Sequence, residues 1–131
     1  MYNLSKYSFL RQVAAENPTF SLVGVNANRS NTISMPAGSA AGDMAIHFSA
    51  VGGVGTINHA VPSGYIGSST ANGYFDQGGA EQRMVGSYKT LVGGESTVAG
   101  IQHSNAKQMI AVFRKTPATA SWLVPSFVTL N

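Results

Sequence analysis

The chain has no cysteine, few charged residues and no long apolar run. Without cysteine it can form neither a disulfide framework nor a thiolate metal site. Charged residues make up only 10% of the 131 residues, well below the roughly 25% of an average soluble domain. No stretch approaches the roughly 20 apolar residues of a membrane span, and the N-terminus lacks the apolar core of a signal peptide. We expect a protein made in the cytoplasm, with no membrane partner and a surface used largely for contact.

The basic residues do not form a track that would bind nucleic acid. The net charge of +3 comes from eight scattered basic residues and a shortage of acids, and the only adjacent pair is Arg114-Lys115. The hydrophobic fraction of 44% is ordinary for a folded domain, and this length can bury about two-thirds of the surface of the unfolded chain. The composition predicts one domain without a nucleic-acid partner.

Residues 1–18 differ from the rest of the chain. Apolar side chains recur there at helical spacing, and the pattern stops at Asn17-Pro18, where a helix should end. The repeating residues are Leu4, Tyr7, Leu10, Val13 and Ala14. This segment is predicted to be a short amphipathic helix or an arm. It either packs on the core of its own domain or docks on another subunit.

Residues 19–117 carry strand signals. Short alternating segments recur about every ten residues between glycine and proline turns, and the fifteen glycines suit tight turns. The clearest strand is residues 44–51, for which we predict an inward face of Met44, Ile46 and Phe48 and an outward face of Ala45, His47 and Ser49. Seven to nine such strands predict an all-β fold, an antiparallel β-sandwich or jelly roll.

Three further segments complete the predicted organisation. Residues 96–103 and 107–115 are predicted to pair as a hairpin across Ser104-Asn105-Ala106. Residues 66–80, rich in Gly, Ser and Asn, are predicted to be a long surface loop with at most one short strand. Residues 118–131 are predicted to be either a final strand or an apolar extension that binds a partner through Trp122 and Phe127.

One motif is more specific than the composition. The segment Pro36-Ala37-Gly38-Ser39-Ala40-Ala41-Gly42-Asp43 leads into the 44–51 strand, and Pro62-Ser63-Gly64-Tyr65 follows later. Tyr88-Lys89 then precedes Gly93-Gly94, and a late strand ends at Arg114. This pattern resembles small β-sandwich domains of bacteriophage virion proteins, which occur in heads, tails, baseplates and fibres. The resemblance implies a virion location without choosing among these parts.

Catalytic or metal chemistry is not predicted. Asp43 follows a glycine at the start of a strand, where a short carboxylate accepts backbone N–H bonds; calcium or sugar contact is the alternative. The five acids are scattered, and the three histidines lie on separate segments. The aromatic residues Tyr65, Tyr74 and Phe75 are candidates for a sugar-binding platform, which leaves a carbohydrate-binding or host-adhesion module as the alternative function.

We therefore expect a non-enzymatic virion structural protein without a cofactor. It would assemble in many copies as a capsid decoration (cement) protein or as a tail or baseplate component. Its partners would be major capsid or tail subunits, copies of itself and, under the alternative, a surface glycan. The predicted subunit contacts lie in the two ends of the chain, at Leu4, Tyr7, Leu10, Trp122 and Phe127.

Overall fold

In the computed structural model, the alternating segments of the sequence form antiparallel β-strands. The structure describes residues 17–53, 61–67, 75–77, 80–100 and 105–122. Within these ranges the strands are β1 (Thr19–Asn28), β2 (Thr32–Ser34), β3 (Met44–Gly53), β4 (Ile66–Gly67), β5 (Phe75–Gln77), β6 (Ala80–Thr90), β7 (Thr97–Ala99) and β8 (Lys107–Thr116). The predicted all-β, antiparallel class is confirmed. The helix or arm predicted for residues 1–18 lies, apart from Asn17 and Pro18, outside the described residues.

The strands form two sheets. The main sheet has the order β1-β8-β3-β6-β4, and β5 also pairs with β6. The small sheet consists of β2 and β7. The described residues contain no helix with the length and apolar content needed to cross a membrane.

The main sheet has two unlike faces, called here the inner face and the outer face. The inner face carries Ala45 of β3 and both Ile110 and Val112 of β8, and the small sheet packs on it through Ile33 and Val98. Residues paired across the strands share a face, so Leu22, Phe113 and Met44 lie together on the outer face. One described core cluster therefore lies between the inner face and the small sheet, and a second is formed by Val51, Val85 and Ala106 with Val61.

The predicted orientation of β3 is wrong. Ala45, His47 and Ser49 are fully buried on the inner face, whereas Met44, Ile46 and Phe48 lie on the outer face, where Met44 is buried and the other two are half-buried. The small side chains of the inner face leave room for the large residues of the small sheet. The buried His47 ring is stabilised there by a hydrogen bond to the Gln108 side chain. The bulk of a side chain therefore does not identify the buried face of β3.

Two predicted connections are also wrong. β7 pairs with β2, and β8 pairs with β1 and β3, so the described parts of residues 96–103 and 107–115 do not pair with each other as a hairpin. The described part of segment 66–80 contains two short strands, β4 and β5, which pair with the edge of β6 that does not face β3. Small residues make such pairing feasible, because a Cβ on Gly67 would lie 2.8 Å from the Gly86 carbonyl oxygen.

Candidate functional site

The segment Pro36–Asp43, which carries the resemblance, forms two successive turns between β2 and β3. Gly38 and Gly42 have φ values of 84° and 87°, a conformation that side chains with a Cβ rarely adopt. The Asp43 N–H donates to the Ala40 carbonyl, and the Gly42 N–H donates to the Leu91 carbonyl at 2.8 Å. The spacing of the two glycines thus reflects the geometry of the turns.

An ion pair holds these turns against β8. The Arg114 guanidinium donates from Nε to Asp43 Oδ1 at 2.8 Å and from Nη2 to Asp43 Oδ2 at 2.7 Å. Nη2 also donates to the Gly38 carbonyl, and the Ala40 N–H donates to Asp43 Oδ2 at 2.9 Å. The bond from Arg114 is the main cause that lowers the pKa of Asp43; burial opposes it and the Ala40 bond adds to it. The buried carboxylate is therefore fully engaged in fixing the start of β3.

Trp122 is attached to the same turns. Its indole Nε1–H donates to the Gly42 carbonyl at 3.0 Å, and its ring centroid lies 5.2 Å from that of Phe20. The Lys115 ammonium lies 5.6 Å from the centre of the indole ring and donates to the Ala120 carbonyl. These contacts fix Trp122 at the corner of the outer face where β1 begins.

Beside Trp122, an exposed apolar strip runs along the outer face. Phe20, Leu22 and Val25 of β1 are 50%, 56% and 47% exposed, and Met109 of β8 is 41% exposed. The register places them side by side, because Met109 lies opposite Ala27 at the end of this row. We call Phe20, Leu22, Val25 and Met109 the apolar strip. Contiguous exposed apolar side chains are typical of surfaces that contact another molecule.

Tyr65 belongs to the interior of the protein. Its ring packs on the core cluster, and its hydroxyl oxygen is buried without a hydrogen-bond partner among the described residues. Burial, and secondarily the charge of Glu95, raises the pKa of Tyr65 to about 12. The Glu95 carboxylate accepts the N–H groups of Val92 and Gly93 and lies 3.0 Å from the Lys89 ammonium. These bonds, the one from Val92 first, lower the pKa of Glu95 to about 2.

His47 lies in a buried polar group on the inner face. Its Nε2 is 2.8 Å from Gln108 Oε1, and the Gln108 amide donates in turn to the Ser30 carbonyl. The ring nitrogen Nδ1 and the hydroxyls of Ser49 and Ser87 are buried with no hydrogen-bond partner within the described part of the chain. Burial lowers the pKa of His47, and the bond to Gln108 opposes this shift. His47 is therefore a neutral structural residue. Across the described ranges, no group of His, Asp and Glu side chains could hold a metal ion.

The predicted site residues are only partly described. Those outside the described residues are Leu4, Tyr7, Leu10, Tyr74 and Phe127. Phe75 contributes its backbone to β5. Trp122 and Tyr65 do not meet, because Trp122 packs against Phe20 at the outer corner and the half-buried Tyr65 packs against the core cluster of the inner face.

The sequence reasoning missed both the apolar strip and the role of Arg114. The apolar residues of β1 were recognisable as strand residues, but nothing in their order tells whether another layer covers them. Arg114 is separated from Asp43 by 71 positions, so no local pattern joins them. The missed features are those that depend on pairing between distant strands.

Comparison with known proteins adds no family to this geometry. No protein-family model matches the chain, no curated protein matches it, and no solved structure matches it. The interpretation of the site therefore depends on the contacts described above.

Proposed function

We propose that this chain is a non-enzymatic structural protein of a bacteriophage virion that assembles in many copies on the particle. It serves as a capsid decoration (cement) protein or as a tail or baseplate component. It is made in the host cytoplasm and ends in the virion. Its partners are capsid or tail subunits and further copies of the chain.

The observation that carries this proposal is the apolar strip. Four large apolar side chains are about half exposed in one row, on a protein whose surface is otherwise poor in charge. Such a row favours burial against another protein. In an assembly of many copies, a modest contact of this kind gains strength from repetition.

The virion part of the proposal depends on the resemblance carried by the turns at Pro36–Asp43. The two glycines and Asp43 of the resemblance are the residues that the turns and the Arg114 ion pair require. Asp43 and Glu95 both have their carboxylates engaged by structural partners. This use of the acids fits a rigid block that acts through its surface.

The architecture extends this proposal. We interpret the main sheet and the small sheet as the two layers of the β-sandwich or jelly roll that the sequence predicts. Its ends supply contacts to neighbouring subunits. Trp122 stacks on Phe20 of the apolar strip.

The direct test is the composition of the particle. Particles purified from cells that carry the gene in its native context should contain the chain in many copies, as counted by quantitative mass spectrometry. Adjacent genes should encode capsid or tail subunits. A chain that is absent from the particles, or an isolated monomer that binds glycans, would overturn the proposal in favour of the adhesion alternative.

Deletion of residues 1–17 tests the role of the N-terminal segment. The truncated chain should keep the β signal in circular dichroism and fail to enter particles. If the deletion abolishes the β signal, the segment belongs to the core of its own domain, and Leu4, Tyr7 and Leu10 are not subunit contacts.

A further inference from the structure

We propose that β1 is a self-association edge, and that it pairs antiparallel with β1 of a second copy to join two main sheets into one. The inference rests on the proposed function in one respect, that copies of the chain assemble with one another. It goes further by naming the surface, the partner strand and the register.

β1 lies at one end of the main sheet. It is 10 residues long, pairs with β8 on one side, and has no strand on its other side among the described residues. It contains no charged residue and no proline. Soluble proteins usually protect an edge of this length with charges, prolines or a cover, because its free N–H and C=O groups bind other strands.

The edge of β2 that does not face β7 is protected, in contrast to the free edge of β1. The side-chain amide of Asn26 donates to the Ser34 carbonyl at 2.9 Å, and that of Asn28 donates to the Thr32 carbonyl at 2.8 Å. These two amides occupy backbone acceptors of β2 that do not face β7. The inner side of β1 thus closes the edge of β2, whereas nothing in the described ranges closes the edge of β1 itself.

The sequence of β1 is self-complementary. An antiparallel pairing centred between Val23 and Gly24 would place Phe20 opposite Ala27 of the second copy, and Leu22 opposite Val25 of the second copy. All four are outer-face residues, since they pair in β8 with Lys115, Met109, Phe113 and Ala111. A two-fold interface requires a surface that matches itself, and this strand does so in both its apolar and its polar positions.

The irregularity in β1 preserves this match. The register with β8 shifts between Leu22 and Gly24, so Leu22 and Val25 share a face although they are three positions apart. Without the shift, one of them would point to the inner face. Because the shift lies at the centre of the proposed pairing, both halves of each strand keep their apolar side chains on the outer face.

The second copy also accounts for the exposure of the apolar strip. Pairing would set Leu22 and Val25 of one copy beside Val25 and Leu22 of the other, at the separation of directly opposed strand residues. The backbone would supply hydrogen bonds and these pairs would supply apolar contact, as in other cases of strand addition.

Cysteine cross-linking tests the register, because the natural chain has no cysteine. In the double variant Phe20→Cys with Ala27→Cys, each new thiol lies opposite its counterpart in the second copy, within disulfide range. Within one chain the two positions are about 23 Å apart, so they cannot bridge. Mild oxidation should convert most of the double variant into a covalent dimer. Each single variant is the matched control and should stay unlinked.

Two double variants that introduce charges at Leu22 and Val25 test the same contact without cysteine. Leu22→Lys with Val25→Lys places lysines opposite each other across the interface and should weaken dimerisation at least about tenfold in sedimentation equilibrium. Leu22→Lys with Val25→Glu carries two charges as well, but places opposite signs together, and should restore the dimer. Both variants should keep the β signal in circular dichroism.

Three outcomes would overturn the inference. The natural chain could remain a monomer at all concentrations, as expected if residues 1–16 or 123–131 of the same chain cover the strip. The double-cysteine variant could stay unlinked, or both charge variants could dimerise like the natural chain. A chain that enters particles but shows any of these results refutes the edge pairing alone. A chain that pairs through β1 but is absent from particles refutes the proposed function alone.

Discussion

The two faces of the main sheet carry different kinds of side chain along most of β3. The inner face is covered by the small sheet, yet on β3 it carries alanine, histidine and serine. The outer face carries the larger apolar side chains of the same strand, and its β1 border is about half exposed. The covering layer brings large residues of its own, Ile33, Leu91 and Val98, which pack on Ala45 of β3 and on Ile110 and Val112 of β8.

This difference shows that burial in a sheet is decided by the covering layer, since either face of β3 has a plausible pattern. It also separates two roles. The inner face supplies the stability of the isolated chain, and the border of the outer face is available for contact.

The largest difference in the free energy of unfolding is expected between a substitution at Ile110 and one at its neighbour Met109. Ile110 is fully buried on the inner face, and Met109 is exposed on the outer face of the same strand. Ile110→Ala should lower the free energy of unfolding by about 3 kcal/mol, because it leaves a cavity under the small sheet. Met109→Ala should lower it by less than about 1 kcal/mol. Urea denaturation of the monomeric chain measures both, and equal losses would contradict the division between the faces.

A smaller effect is expected where the small sheet touches the buried polar group. A Cβ on Gly100 would collide with Gln108 Oε1 and lie 2.9 Å from His47 Cε1. Gly100→Ala should therefore lower the free energy of unfolding by about 2 kcal/mol, since the side chains it meets are held by hydrogen bonds. Ala99→Gly, one position away on an exposed site, should cost less than about 1 kcal/mol in the same denaturation experiment. If Gly100→Ala leaves the free energy of unfolding unchanged, the small sheet can shift relative to the inner face.

The smallest effect concerns pH. Burial lowers the pKa of His47 below 6.5, so the unfolded chain binds a proton more readily than the folded chain. The free energy of unfolding should fall as the pH drops below 6.5, by at most about 1.4 kcal/mol per pH unit. His47→Gln, which can still bond to Gln108 but does not titrate, should remove this slope. An unchanged slope would mean that His47 is not its source.

Glu95, in the segment between β6 and β7, should make the free energy of unfolding depend on pH in a second, lower range. Its pKa falls from 4.5 to about 2 on folding, so its contribution to stability is complete above pH 4.5 and is lost as the pH falls toward 2. Glu95→Gln should flatten the dependence in this lower window and leave the His47 window unchanged. If Glu95→Gln alters the slope above pH 4.5 instead, the two sites are coupled.

The fold class and the turns could be predicted from the sequence because their causes are local. The alternation of residues 44–51 predicted β3, and the glycines at 38 and 42 are required by the turns that the motif predicts. Asp43 accepts a backbone N–H at the start of β3, as predicted, because this bond spans three positions. Local spacing was sufficient for each of these features.

The pairing partners and the contact surface could not be predicted because their causes are distant. β7 pairs with β2 rather than with β8, and this pairing sets Ile33 and Val98 together over the inner face. The Arg114 ion pair and the burial of His47 depend on contacts 71 and 61 positions apart. The roles of Leu4, Tyr7, Leu10 and Phe127 remain predictions.

The pairing of β1 with β8 has a consequence for synthesis of the chain. Thr19 lies opposite Thr116, so β1 obtains its described partner only after the next 97 residues have been made. On a ribosome that adds about 5–20 residues per second, β1 waits several seconds for β8. During that interval neighbouring nascent chains are the nearest source of strands. Many copies of the chain made from one message would therefore be most prone to exchange β1 with one another while they are being translated.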